Sequence, residues 1–192
     1  MRKIILASAS ERRADIFRLS GIPFDVDVSD YREDLTLPVS PRELAETLAL
    51  GKALSVVPRH SDAIIIAADT FIVVDGAILG KPLTEARAKE MLRTLSGRSH
   101  LVLTGYAIID TRDGRQDMGV EETKVFFREL QEKEIEAYVR HGHPSPLDLA
   151  GAYAIQAGGA LFVTKIEGDY YNVVGLPLLV IVEKLSRFGV IE

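Results

Sequence analysis

The chain has 192 residues, and its 23 Lys and Arg against 28 Asp and Glu give a formal net charge of −5. This length predicts one domain over residues 1–192, with room for two lobes and a core that needs no disulfide bonds. The absence of cysteine agrees and excludes a thiolate metal site or a Cys nucleophile. An acidic chain with 7% aromatic residues also lacks the basic excess of proteins that bind nucleic-acid polymers.

The sequence contains no segment that resembles a targeting signal or a membrane span. The apolar residues between Lys3 and Ser8 are too few for the core of a signal peptide. The apolar run from Leu176 to Val182 includes Pro177 and is far shorter than the roughly 20 residues that a transmembrane helix needs. We therefore expect a soluble cytoplasmic protein with no membrane partner.

In the first half of the chain, short β-branched runs alternate with helical patterns, which predicts helices packed on a central sheet. In chain order, the patterns first indicate a buried strand at 3–7, a helix at 10–19 and a half-buried strand at 24–28. A helix then begins at the capping box at 40–43. A buried strand at 63–68 and an apolar run at 71–74 follow, before a turn at 75–76. Gly51 lies inside the second helix at a cost of about 1 kcal/mol relative to alanine, so we expect a close contact there.

The second half continues the alternation and then becomes rich in glycine. The patterns indicate a helix at 84–97, paired strands at 101–109 and 120–127 around a turn at 113–114, a helix at 131–140, short strands punctuated by glycines, and a final helix with Pro177 in its first turn. The whole pattern predicts an α/β fold in which helices flank a twisted mixed sheet.

The turn between the first strand and the first helix is a candidate anion site. It contains two hydroxyls and two guanidiniums, those of Ser8, Ser10, Arg12 and Arg13. Backbone N–H groups at a helix start attract anions, and arginine binds phosphate oxygens through paired hydrogen bonds. In the plainer alternative, which the segment alone favours, Ser10 caps the helix and the arginines face solvent.

Asp69 is a second candidate because it ends the buried apolar run at 63–68. In open α/β sheets, ligands bind beyond the carboxyl ends of strands, and a buried charge needs a cation or hydrogen bonds. An aspartate there could ligate a metal or act as a general base, or it could cap a turn. Lys52 and Lys81 could supply positive charge to phosphates, although most lysines are only solvated.

Two further polar side chains carry weaker signals. His100 has no visible Ser or Cys partner, so we interpret it as structural rather than catalytic. Gln156 follows a glycine-rich turn, and its amide could recognise the donor and acceptor pattern of a base or simply face solvent. The chain has no Walker loop, G-x-G-x-x-G or H-E-x-x-H motif. The remaining theme is phosphate chemistry by carboxylates and basic residues without a covalent nucleophile.

Taken together, these segments resemble the Maf family of nucleoside triphosphate pyrophosphatases. The resemblance is carried by the ordered set of segments 6–13, 67–70, 80–82, 95–100 with 104–105, 150–156 and 168–177, and so covers nearly the whole chain. It implies an α/β fold with a deep cleft between two lobes and a homodimer. It also implies hydrolysis of a nucleoside triphosphate to the monophosphate and pyrophosphate with a divalent cation, Mg²⁺ or Mn²⁺.

The resemblance also implies roles for individual residues. Asp69 matches the family's proton acceptor. The positions associated with the phosphates are Ser8, Ser10, Arg13, Lys52 and Lys81. The set that resembles the dTTP/UTP subgroup is Arg12, Thr70 and Gln156. An acidic residue after the second strand is expected to hold the metal with Asp69, and Glu33 is our choice over its neighbours Asp30 and Asp34.

One position departs from the family's pattern, because Leu149 stands where the family usually has a lysine. This loss of a cation could weaken phosphate binding. Two alternatives stay open: a nucleotide-binding regulator of septation or cell division with little catalysis, and a house-cleaning purine triphosphatase that would act on ITP or XTP. In each case the expected partner is a small-molecule nucleotide, around which the basic residues of the site would gather.

Overall fold

The computed structural model describes residues 2–190. Its strands are β1 Lys3–Leu6, β2 Asp25–Val26, β3 Ala63–Val74, β4 Ala77–Leu79, β5 Ser99–Asp110, β6 Gln116–Phe127 and β7 Val163–Glu167. Its α-helices are α1 Glu11–Arg18, α2 Pro41–Val56, α3 Glu85–Leu95, α4 Glu132–His141, α5 Tyr170–Val174 and α6 Leu178–Arg187. This architecture confirms the predicted α/β class. Within the same range, no helix combines the length and the apolar content needed to cross a membrane.

Across residues 2–190 the strands form a seven-stranded mixed sheet in the order β2-β1-β3-β5-β6-β7, with β4 paired to β3 outside this path. β1 is parallel to both β2 and β3. β4 and β7 run antiparallel to β3 and β6. Parallel neighbours need long crossover connections, and α1 and α2 provide them.

The described chain divides into two compact units. The first unit contains the described parts of 1–69, 104–121 and 175–192, and the second contains 70–103 and 122–174. Strands β3, β5 and β6 each contribute residues to both units. The single domain over 1–192 and the cleft stay predictions.

In the first unit, α2 packs closely on the sheet. Its small residues Ala49 and Ala53 belong to one buried cluster with Ile5, Ile65 and Ala107. At Gly105 in β5, an added Cβ would overlap the backbone carbonyl of Ala45 in α2. The missing side chain therefore permits the helix to lie directly on the strand.

The second unit has its own apolar core. Helix α3 spaces its apolar residues at helical intervals, and the buried ones are Ala88, Met91, Leu92 and Leu95. The Thr84 side chain caps this helix by accepting a hydrogen bond from the Arg87 N–H, and Gly97 follows it with a φ of +67°. These contacts confirm the predicted start and end of α3.

The structure corrects the prediction that the apolar run at 63–68 ends at Asp69. Strand β3 continues from Ala63 to Val74, and Asp69 and Thr70 lie inside it. A carboxylate is tolerated within this buried strand because the ammonium group of Lys52 contacts it. The residues Asp69 and Thr70, which are typical of a turn, therefore stay in the strand because a residue of a distant helix contacts Asp69.

Two other predicted strand regions also differ. The strand at 24–28 shrinks to Asp25–Val26, and Val26 and Val28 are each 49% exposed because β2 lies at the edge of the sheet. In the glycine-rich last third, β7 is the one strand among the described residues. The rest of this region forms short 3₁₀ helices, α5 and α6. At Gly151 and Ala152 the φ values of +65° and +64° lie outside the range that a strand adopts.

The substitution Gly105→Ala tests the close approach of α2. Because the new methyl group would meet backbone rather than a movable side chain, we expect the free energy of unfolding to fall by about 3 kcal/mol in urea denaturation. The control is Gly114→Ala in the β5–β6 turn, where a Cβ meets nothing within 4 Å. There the φ of +73° alone should cost roughly 1 kcal/mol. Equal losses in the two variants would contradict the close approach.

Candidate active site

Helix α1 begins at a cluster of two serines and an arginine in the first unit. Ser10 is the N-cap, and its hydroxyl oxygen accepts a hydrogen bond from the Arg13 N–H at 3.4 Å. The buried Ser8 hydroxyl accepts hydrogen bonds from the Ser10 N–H at 3.2 Å and from Arg13 Nη1 at 3.4 Å. Arg13 Nε donates to the Gly175 carbonyl at 2.8 Å. Ser10 thus caps the helix as the plainer alternative had it, but Arg13 is held by protein groups.

The electrostatic surroundings of Arg13 connect this helix start to two acidic residues. Desolvation lowers the pKa of the Arg13 guanidinium, while the carboxylates of Asp69 and Glu33 oppose that shift. Arg12 lowers the pKa further as a nearby like charge, and its side chain is half-buried. The helix start therefore places backbone N–H groups, hydroxyls and guanidiniums near a pair of carboxylates.

Lys52 forms ion pairs with both of these carboxylates. It is 8% exposed on α2, and its ammonium contacts Asp69, which is 4% exposed in β3. Its Nζ also lies 2.6 Å from Glu33 Oε1, and the Glu33 side chain is 39% exposed. The predicted phosphate ligand Lys52 therefore forms ion pairs with both predicted metal ligands in this structure.

Burial dominates the chemistry of Asp69. Desolvation raises the pKa of its carboxyl group, Lys52 lowers it, and Glu33 raises it as a like charge. The direction that we assign is upward, because the carboxylate lies inside a buried strand. A carboxylate with a raised pKa accepts a proton more readily than an ordinary aspartate, which suits a general base.

The loop before Glu33 is fastened to α2. The hydroxyls of Ser29 and Ser55 are 2.8 Å apart, and the Tyr31 N–H donates to Ser29 Oγ at 3.1 Å. The Tyr31 ring lies over Gly51, where an added Cβ would overlap it. This confirms the close contact expected at Gly51 and shows how the loop reaches the helix that carries the lysine.

The two acidic neighbours of Glu33 have other partners. Asp30 Oδ2 lies 3.1 Å from Arg59 Nη2, and Asp34 accepts a hydrogen bond from the Thr36 N–H at 2.9 Å. Glu33 is thus the member of this described acidic trio that the structure brings to Lys52.

Asp69 and Glu33 fit a divalent cation that is shared with a substrate. Residues 2–190 contain no group of three or more His, Cys, Asp or Glu side chains suited to hold a metal ion. Mg²⁺, however, is usually bound by one or two carboxylates together with substrate phosphates. Two carboxylates that already meet at one ammonium have the charge and the oxygen ligands for that arrangement.

The remaining predicted residues belong to the second unit. Thr70 is half-buried in β3, and Lys81 and Gln156 are exposed. Leu149, the departure from the family's pattern, is 3% exposed and packs as an apolar residue. The roles of these residues stay predictions.

Sequence reasoning missed two residues that arrange the site. The position of Tyr31 could be inferred indirectly, because a glycine in the middle of a helix, Gly51, indicates that another group packs closely there. Gly175 contributes a backbone carbonyl to Arg13, and such a group leaves no mark on the residue type.

Fold and site together define a mixed α/β protein with an anion-attracting helix start beside an ion-paired set of carboxylates. The model of the family described as Maf-like protein matches residues 3–188, and the chain belongs to this family.

Several relatives align over almost their whole length. A protein of Bacillus cereus (strain AH820), named dTTP/UTP pyrophosphatase, is 48% identical over 193 residues, which cover 99% of this chain and 97% of the relative. Proteins with the same name from Bacillus anthracis and Bacillus mycoides (strain KBAB4) are each 47% identical, covering 99% and 98% of this chain and 97% and 96% of the relatives.

Two solved structures are more distantly similar. The Staphylococcus aureus Ham1 protein is 16% identical with a TM-score of 0.45, covering 66% of this chain and 72% of that chain. Protein VC0702 from Vibrio cholerae is 12% identical with a TM-score of 0.42, covering 97% of this chain and 98% of that chain. The fold class is established by the strands and helices described above.

Lys52→Met tests whether the ion pair stabilises the first unit. The variant leaves the buried Asp69 carboxylate without its cation, so we expect the free energy of unfolding at pH 7 to fall by about 3 kcal/mol. Urea denaturation measures the loss. Adding Asp69→Asn should restore most of the stability, because it removes the unpaired charge.

Lys3→Met is the matched control for this experiment. Lys3 pairs with Asp25 at 3.1 Å, but both side chains are more than half exposed, so the loss should be much smaller. A Lys52→Met protein as stable as the control would show that the buried pair does not support the fold.

Proposed function

We propose that this protein is a nucleoside triphosphate pyrophosphatase that hydrolyses dTTP and UTP to the monophosphate and pyrophosphate. The observation that carries the proposal is the buried Asp69 carboxylate, which has a raised pKa and lies with Lys52 and Glu33 close to Arg13. The near full-length relatives named dTTP/UTP pyrophosphatase support the choice of substrates.

The reaction begins with a water molecule that Asp69 orients and deprotonates. The water oxygen forms a bond to the α-phosphorus, and the bond from that phosphorus to the bridging oxygen of the β-phosphate breaks. The water proton passes to the Asp69 carboxylate, and pyrophosphate leaves. Burial raises the pKa of Asp69, which makes its carboxylate a better acceptor for this proton.

Negative charge grows on the phosphates as the bond breaks. The start of α1 offers backbone N–H groups, the hydroxyls of Ser8 and Ser10 and the guanidinium of Arg13 to those oxygens. Mg²⁺ or Mn²⁺ held by Asp69 and Glu33 would neutralise phosphate charge and lower the pKa of the attacking water. With those carboxylates occupied by the metal, the Lys52 ammonium would pair with phosphate oxygens instead.

The remaining residue roles are those that the resemblance to the Maf family implies. Lys81 is assigned to the phosphates, and Arg12, Thr70 and Gln156 to the choice of base. The homodimer and the cytoplasmic location are likewise part of the proposal. Leu149 replaces a cation that the family usually has, so we expect a lower rate rather than a different reaction.

A nucleotide panel tests the reaction. Pyrophosphate release is measured from dTTP, UTP, CTP, GTP, ITP and XTP with Mg²⁺ or Mn²⁺, and we expect turnover of dTTP and UTP that chelation abolishes. Turnover confined to ITP and XTP would identify a purine triphosphatase instead. Tight binding without turnover of any nucleotide would favour the regulator of septation.

Asp69→Asn tests the proton acceptor. The amide cannot take the water proton, so kcat for UTP should fall on the order of 10³-fold. The variant should still fold, at a lower melting temperature, because Lys52 loses the Asp69 carboxylate but keeps its ion pair with Glu33. Steady-state pyrophosphate release and a thermal melt measure the two properties. Asp25→Asn on the exposed β2 edge is the control and should keep wild-type kcat. Wild-type turnover by Asp69→Asn would remove this residue from the mechanism.

A further inference from the structure

The second unit contains a buried polar pair that has no part in the mechanism above. His100 in β5 is 2% exposed and Tyr153 is 6% exposed. His100 Nε2 lies 2.8 Å from the Tyr153 hydroxyl, which is hydrogen-bonding distance. Both rings pack edge to face on Phe127, with centroids 5.0 and 4.8 Å away. The pair is therefore fixed inside the core of this unit.

Burying this polar pair in an apolar core costs free energy. Burial lowers the pKa of His100 to about 4, so the ring is neutral at pH 7. Its other nitrogen, Nδ1, is buried without a hydrogen-bond partner among residues 2–190. An apolar pair of the same shape would avoid this cost, so the polar pair calls for a reason besides packing.

Tyr153 belongs to a segment that is anchored at several successive residues. The Gly151 N–H donates to the Gly80 carbonyl at 3.0 Å, and the Ala154 N–H donates to the Tyr138 hydroxyl at 3.1 Å. Tyr153, held at its hydroxyl, lies between these two points. We refer to residues 151–154 as the anchored segment.

The anchored segment leads directly to Gln156. The Ala157 N–H donates to the Ala154 carbonyl at 3.1 Å and closes a turn that contains Gln156. Gln156 is exposed, and three residues of chain separate it from Tyr153 by at most roughly 10 Å. The place of its amide therefore follows from where the anchored segment is held.

We propose that His100 is a positioning residue for base recognition. It holds the Tyr153 hydroxyl and, through the anchored segment, sets where the Gln156 amide meets the base. This inference rests on the proposed function and on the role of Gln156 within it. His100 itself touches no substrate.

Tyr153→Phe is the main test, because it deletes the hydroxyl and keeps the ring. Values of kcat and KM for UTP and CTP are measured by pyrophosphate release. The two bases present opposite donor and acceptor patterns, so the ratio of their kcat/KM values reports the alignment of the amide. We expect the UTP-to-CTP ratio to fall about tenfold, mostly through KM for UTP, with kcat reduced by less than roughly threefold.

Three comparisons separate positioning from packing. Tyr106→Phe makes the same change at a 5% exposed tyrosine of the first unit and should leave the ratio unchanged. Gln156→Ala should lower the ratio, and adding Tyr153→Phe should lower it no further, because both act through one amide. His100→Gln, whose amide can still bond to the Tyr153 hydroxyl, should keep the ratio nearer to wild type than His100→Leu.

A Tyr153→Phe enzyme with a lower melting temperature but the wild-type ratio would assign the pair a packing role and overturn the proposal. Additive effects of Tyr153→Phe and Gln156→Ala on the ratio would overturn it as well, and so would equal use of UTP and CTP by the wild type. Failure of the wild type to release pyrophosphate from any nucleotide would instead refute the proposed function.

Discussion

A lysine ammonium buried against an aspartate carboxylate is the interaction on which the first unit depends. A charge in mid-strand and a charge in mid-helix would each be costly to bury alone, because neither would have replaced its hydration. Together, Lys52 and Asp69 let β3 continue and let α2 lie on the sheet. Glu33 adds a second carboxylate to the same ammonium and ties its loop to α2. The groups proposed for catalysis are thus also the groups whose ion pairs permit the fold.

Much of the fold could be predicted because its elements depend on local patterns. The capping box at Ser40 and Glu43 and the apolar spacing of α3 require only neighbours in the chain, and the structure contains both. Strand β3 could not be predicted as one element. The sequence Asp69-Thr70 is typical of a turn, and only the contact with Lys52 of a distant helix explains why the strand continues through it. The exposure of Val26 likewise depends on the position of β2 at the edge of the sheet rather than on the hydropathy of the residue.

The residue types of the candidate site could be predicted from the sequence, but the contacts between its side chains could not. Ser8, Ser10 and Arg13 lie within one short segment, so their proximity follows from the helix start. That Lys52 reaches Asp69 depends on how closely α2 approaches the sheet, which a distant glycine in β5 permits. No local pattern encodes such a contact. The roles of residues in the second unit rest on resemblance and stay predictions.

The Tyr31 ring that lies on Gly51 restricts how this protein could be stabilised by engineering. Replacing a mid-helix glycine with alanine is an ordinary route to higher stability, since alanine favours a helix by about 1 kcal/mol. Here the new methyl group would displace the ring and, with it, the loop that brings Glu33 to Lys52. A consensus or thermostability screen that scored helix propensity alone would select a change that moves an acidic side chain of the proposed active site.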